Sequence, residues 1–225
     1  MPIVCTLTDS AQTTTSATNT NTFAAMNIGA ASADRFVAAL IGIYGSGGGS
    51  VGAINSVTIG GVDASLIAAA RDANIRTVVA FANVPTGTTA DVVINCAASN
   101  VTRWGAGVLA ITGLYDSTII DSNSDTIDPC VASISCTNGG LIAGVSCGAT
   151  VASFPTSTWT NLTEAFDLQI GSTTAAFSGA FQIYTSAQTG LSVTCDNTGT
   201  GTDMAMSLAS FQAADNVAKA MWLTA

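Results

Sequence analysis

Apolar and polar residues alternate over strand-length segments from one end of the chain to the other, and almost nowhere recur at helical spacing. Ile75, Thr77, Val79 and Phe81 stand against Arg76, and Phe166, Leu168 and Ile170 against Asp167 and Gln169. A two-residue period places one set on a core and the other in water, which makes these segments half-buried strands. The segment FVAALIGIY, 36 to 44, is instead apolar at both parities, so its strand is central or covered on both sides.

Composition points the same way. Only 8% of residues are charged, so the Glu, Lys and Arg that clothe surface helices are missing, while 48% are hydrophobic, too many for a disordered chain. Strands are expected near 2 to 8, 22 to 28, 35 to 44, 54 to 60, 62 to 70, 75 to 84, 89 to 96, 104 to 113, 131 to 136, 141 to 147, 162 to 170, 176 to 185, 190 to 195 and 203 to 211. Gly60-Gly61 supplies a tight hairpin, Pro85-Thr86-Gly87 a β-turn, and Asn138-Gly139 a hairpin turn. So many short strands without intervening helices predict an all-β fold, an antiparallel β-sandwich of jelly-roll type.

Three polar stretches read as connections: 10 to 22, rich in Thr and Asn, as an extended link, and 115 to 129 and 196 to 203 as surface loops. No sequence repeat and no linker is evident, which gives one sandwich domain over 1 to 214 and a tail over 215 to 225. In the tail Asp215 caps a short helix, Val217 and Met221 share its face, and Trp222 and Leu223 add apolar surface. These four apolar residues are the candidate partner-binding site. The alternative is a tail folded back on its own sandwich.

The absence of histidine limits the chemistry. GGGSVG, 47 to 52, fits G-x-G-x-x-G through Gly47, Gly49 and Gly52, and G-x-S-x-G through Gly48, Ser50 and Gly52. A Ser-His-Asp site lacks its base, and Lys219 is the only lysine. AINSVTIGG follows and alternates like a strand, where a dinucleotide site needs a helix N-terminus. The segment therefore reads as a strand-to-strand loop. Glu164 is the only glutamate, and nothing brings two carboxylates together, so no catalytic residue and no cofactor is assigned.

Asp121, Asn123, Asp125 and Asp128 place oxygen ligands at alternate positions, a calcium-loop pattern. Thr126 and Ala132 replace its glycine and bidentate glutamate, and a solvated acidic loop is the other reading. The six cysteines share parity with apolar neighbours and read as small buried hydrophobes. A cross-strand Cys130–Cys147 disulfide is the sharper alternative if Asn138-Gly139 closes a hairpin.

The net charge of -9 repels phosphate backbones and anionic lipid, and the five bases form no cluster, so no nucleic-acid or membrane partner is expected. No signal peptide or membrane-spanning stretch is seen, which predicts synthesis in a cytoplasm, any external site being reached by assembly or lysis.

INSVTIGGVDASLIAA, TVVAFANVPTGTTADVVINC, GVLAITGLYD and MAMSLASFQAA resemble a jelly-roll-like β-sandwich of phage virion proteins, related to domains of bacterial surface and carbohydrate-associated proteins. The resemblance covers about 35 to 214. It implies a non-enzymatic structural protein on the virion surface, a capsid decoration or projecting protein. Its partners would be the major capsid or another virion protein and further copies of itself. The alternative is a carbohydrate-binding module or a tail or fibre component for host attachment, with Trp104, Trp159 and Tyr115 as candidates for a glycan platform.

Overall fold

A computed structural model describes residues 1–45, 51–72, 74–97, 100–149, 156–170, 175–197 and 203–214. These form strands and turns with no helix. In the first half the strands are β1 (Val4–Thr18), β2 (Thr20–Asn27), β3 (Phe36–Gly45), β4 (Ile54–Ile59), β5 (Val62–Asp63), β6 (Ser65–Asp72), β7 (Ile75–Asn83), β8 (Thr89–Cys96) and β9 (Val101–Thr112). In the second they are β10 (Leu114–Asp125), β11 (Cys130–Cys136), β12 (Leu141–Ala149), β13 (Ser157–Thr160), β14 (Thr163–Gln169), β15 (Ala175–Ile183), β16 (Gln188–Asn197) and β17 (Asp203–Ala213).

The pairing is antiparallel throughout and repeats. One five-stranded sheet has the order β1-β9-β3-β7-β6, the other β10-β17-β12-β15-β14. The smaller sheets run β2-β8-β4-β5 and β11-β16-β13. Each strand of the first half except β5 thus has a counterpart in the second, in the same place and order. Registers agree as well: Phe36 stands opposite Asn83 and Ile111, and Leu141 opposite Ile183 and Phe211. The chain is two sandwiches of one topology, a duplication that the sequence does not display.

The two five-stranded sheets pack on each other, so the layers run small, large, large, small. Alternate residues of β3 show it. Val37, Ala39, Ile41 and Ile43 enter a core with Phe23, Val57, Val92 and Ile94 of the small sheet. Ala38 and Leu40 enter the middle core with Leu141, Val145, Phe166 and Phe177 of the second half. Beyond it Ile142, Met206 and Leu208 meet Ala132, Ile134 and Val193 in a third core. The strand expected to be central is central, and its double apolar parity reflects two different cores.

Aromatic rings set against glycines close the middle core. A Cβ at Gly42 or Gly105 would lie 2.5 Å from the Phe177 ring, and one at Gly107 or Gly179 would overlap Phe166. The bare backbones let both rings lie flat on the sheets. Phe166 and Phe177 also touch, with centroids 5.0 Å apart, and Phe81 meets Phe211 across the layers at 4.6 Å. Toward one end the contact turns polar: Thr77 Oγ1 and Ser207 Oγ are 2.8 Å apart, and Met204 N donates to Asp72 Oδ2 at 2.9 Å.

Arg35 ties the turns of the first half together. Its guanidinium donates five hydrogen bonds to the carbonyls of Gly29, Val84, Thr86 and Gly87. Carbonyl dipoles thereby stabilise a buried cation, and burial lowers its pKa.

Three expectations change. Residues 10 to 22 are not a connection but the body of β1 and the start of β2. Thr is β-branched and suits a strand, and an edge strand tolerates polar side chains. Most of 115 to 129 is likewise strand β10 rather than loop. The Asn138-Gly139 turn exists, with Gly139 at φ 71°, but it leads from one sheet into another. Cys130 therefore stands opposite Cys195, while Cys147 lies between Phe177 and Ala205, and the Cys130–Cys147 pairing does not occur. Gly60-Gly61 does close a hairpin, pairing Ile59 with Val62. The cysteines are free thiols, five buried and Cys5 half-buried.

Gly107→Ala is expected to cost about 1–3 kcal/mol by overpacking the middle core. Phe166→Leu added to it should recover part of that loss in denaturant melts. Additive losses in the double variant would show that ring and glycine are not coupled.

Candidate functional site

Edge strands leave backbone groups without partners, and both halves cover the edge of their small sheet with side chains of the neighbouring large sheet. In the second half, Asp121 Oδ2 accepts from Ser135 N at 2.7 Å, Asn123 Nδ2 donates to Ser133 O at 2.8 Å, and Asp125 Oδ2 accepts from Val131 N at 2.7 Å. The Oδ1 of each accepts the next backbone N–H, of Ser122, Ser124 or Thr126. A side-chain ladder thus runs from β10 to the free edge of β11. In the first half Asp9 accepts from Ser10 N and Asn27 N, both at 2.8 Å, and Thr8 Oγ1 donates to Asn27 O at 2.7 Å. Asp9 and Asp121 each follow an irregularity in pairing, which turns the carboxylate toward the neighbouring sheet.

This ladder accounts for the alternate acids. Asp121, Asn123 and Asp125 share a strand face, and their oxygens are engaged by backbone N–H groups. Asp128 lies apart from that ladder, and Asn197 N donates to it at 3.5 Å. Among the described residues no group of three or more Asp, Glu, Cys or His is placed to hold a metal ion.

Outside the ladder the same flank exposes apolar side chains among polar ones such as Asp116, Ser117, Thr118, Ser122 and Ser124. Tyr115 and Ile120 on β10, Ile127 in the turn and Val131 on β11 are exposed, as are Met1 and Val4 at the N-terminus. Ile127 is the most open of these at 71%. Val4 pairs with Thr112, and Gly113 packs on Pro2, which brings the N-terminus to the start of β10. Ala214 N donates to Gly113 O at 2.9 Å, so residue 215 follows directly from this corner. The predicted partner-binding residues Val217, Met221, Trp222 and Leu223 lie outside the described residues, as do 46–50, which include most of GGGSVG. Its flanks are strands β3 and β4.

A groove of about 300 Å³ adjoins the corner, lined by Val4, Thr6, Gly29, Ala30, Ala110 and Thr112, with Arg35 beneath. Every N–H of Arg35 is committed to a carbonyl, so the groove offers no guanidinium donor to an anion. The aromatic candidates do not form a platform. Trp104 is fully buried with Nε1 donating to Thr15 Oγ1, and Trp159 is half-buried in the third core with Nε1 donating to Ser178 Oγ. Tyr115 alone of the three is exposed.

The thiols are poor nucleophiles at neutral pH. Burial pushes Cys96 up to about 11, and Cys5, Cys147 and Cys195 up to about 12. Three carboxyls are also raised. Burial and the neighbouring Asp196 raise Asp128, burial and Asp167 raise Glu164, and burial raises Asp167 against the opposing bonds from Ser157.

Comparisons with protein-family models, with curated proteins and with solved structures returned no match.

The raised carboxyls set a pH dependence. A carboxyl whose folded pKa lies above its unfolded value stabilises the fold fully below the unfolded value, about 4, and loses that contribution as pH rises through the folded value. The thermal midpoint is therefore expected to fall as pH rises from about 4, and to fall less in Asp167→Asn. A midpoint that rises with pH from about 4, or an unchanged fall in the variant, would contradict it. The ladder gives a second expectation: Asp125→Ala should cost about 1–3 kcal/mol and speed hydrogen exchange at Val131 NH. Unchanged exchange there would show that the edge is covered by other means.

Proposed function

We propose that the chain is a non-enzymatic structural protein of a phage particle, decorating or projecting from the capsid and acting through contacts with the major capsid protein, other virion proteins and copies of itself. The observation that carries this reading is the flank of β10 and β11. Met1, Val4 and Tyr115 are exposed around the start of β10, where Ala214 bonds Gly113 and residue 215 follows, Ile120 lies further along β10, and Ile127 and Val131 are exposed beyond its other end. Surface of this kind on an otherwise polar rim fits subunit association. The tail with Val217, Met221, Trp222 and Leu223 supplies the arm, and the flank supplies a surface for a neighbouring subunit.

The chemistry supports the same role. The chain has no histidine, its buried thiols are held protonated, and its net charge of -9 disfavours nucleic acid. The stacked sandwiches suit the jelly-roll-like resemblance and a rigid building block made in the host cytoplasm and carried on the particle surface.

Deletion of 215 to 225 is expected to lower the copies bound per particle at least tenfold, as removal of a buried aromatic anchor does at interfaces. Tyr115→Asp combined with Ile120→Asp should lower the self-association measured by light scattering. Full particle occupancy after the deletion contradicts the arm, and unchanged association in the double variant contradicts the flank.

A further inference from the structure

One pair among the six cysteines meets in register. Cys130 on β11 stands opposite Cys195 on β16. The others face different residues: Cys5 faces Ile111, Cys96 faces Ile54, Cys136 faces Gln188, and Cys147 faces Phe177 and Ala205. Cys130 and Cys195 are both fully buried and both project into the third core beside Ala132 and Val193, so their side chains lie on one face of the sheet.

The ladder fixes the character of the pair. Val131 N, Ser133 O and Ser135 N turn toward β10, so the even-numbered residues of β11 turn their backbone groups toward β16. Cys130 and Cys195 are therefore a hydrogen-bonded antiparallel pair. Such pairs hold their Cα atoms about 5.5 Å apart, inside the range disulfides adopt, but their Cβ atoms lie about 5 Å apart or more against the roughly 4 Å of a disulfide, so closure requires β11 to shift toward β16.

We propose that Cys130 and Cys195 close into one cross-strand disulfide when the protein leaves a reducing cytoplasm and meets a disulfide oxidant of the glutathione class. One cysteine, as thiolate, attacks a sulfur of oxidised glutathione, breaks its S–S bond and releases one glutathione thiolate. The other cysteine loses its proton and attacks the protein sulfur of the mixed disulfide, which forms the Cys130–Cys195 bond and releases the second glutathione. Two protein thiols are oxidised, one glutathione disulfide is reduced, and the two protons end on the two glutathiones.

Burial keeps both thiols protonated, with Cys195 pushed up to about 12, so the exchange is slow in the closed fold. It follows opening of β11, the edge strand of its sheet. The bond then joins the edge strand to β16, its one partner strand among the described residues, and closes the long loop that contains β12 to β15. That stabilises the second half most where its small sheet is narrowest.

The test uses the full chain, reduced and then incubated or refolded in buffer containing oxidised and reduced glutathione. Thiols are counted after unfolding, and linked peptides are mapped by mass spectrometry. The expected result is two fewer thiols than the six of the reduced chain, a mass lower by two hydrogens and a single link between Cys130 and Cys195. Cys130→Ser and Cys195→Ser should each form no internal link, and the oxidised wild type should melt several degrees above the reduced form, roughly as closure of a long loop requires. Retention of all six thiols by the wild type after both treatments, or a link through any other cysteine, would overturn the proposal whether or not the serine variants fold.

Discussion

The packing of Phe166 and Phe177 against glycine backbone is the contact on which the architecture depends. Two large sheets approach closely only where one presents bulk and the other presents none. Gly42, Gly105 and Gly107 supply the bare surface on the first-half sheet, and Gly179 supplies it on the second. Because the middle core is shared, the strands at the centre of both large sheets carry apolar residues on both faces. Each half therefore has a core of its own and a second core that exists only when the halves are together.

Stacking covers the faces of the large sheets but leaves edges. The chain treats them twice in the same way, with Asp9 and Thr8 in one half and Asp121, Asn123 and Asp125 in the other. Short polar side chains on one edge strand satisfy the backbone of the neighbouring edge, which protects it from pairing with another chain. Around that covered backbone the exposed Tyr115, Ile120, Ile127 and Val131 remain.

Much of the fold was legible in the sequence, and the reasons for the remainder are physical. FVAALIGIY announced a doubly covered strand, and Gly60-Gly61 announced its hairpin. Double apolarity says that a strand is covered but not by what, so the second sandwich stayed hidden. β1 and β10 read as connections because edge strands with Thr, Ser, Asp and Asn satisfy the composition rules for loops. Cys130 was matched with Cys147 because a local turn signal does not reveal that the chain changes sheets. In the candidate site, Asp121, Asn123 and Asp125 were correctly found at alternate positions. Oxygen atoms spaced for a cation and oxygen atoms spaced for successive N–H groups of a strand look alike in one dimension. Trp104, a candidate for the glycan platform, opens an apolar strand and is core, while nothing in the sequence marked Tyr115 and Ile120 as neighbours of the tail's exit.

Native-state hydrogen exchange in increasing denaturant tests the shared middle core most directly. Amides of Leu40 and Val79 in the first half, and of Val145 and Phe177 in the second, should converge on one opening free energy and be released in a single global event. Release of either set in a separate transition, with the other half still protected, would contradict the dependence of both halves on their common core.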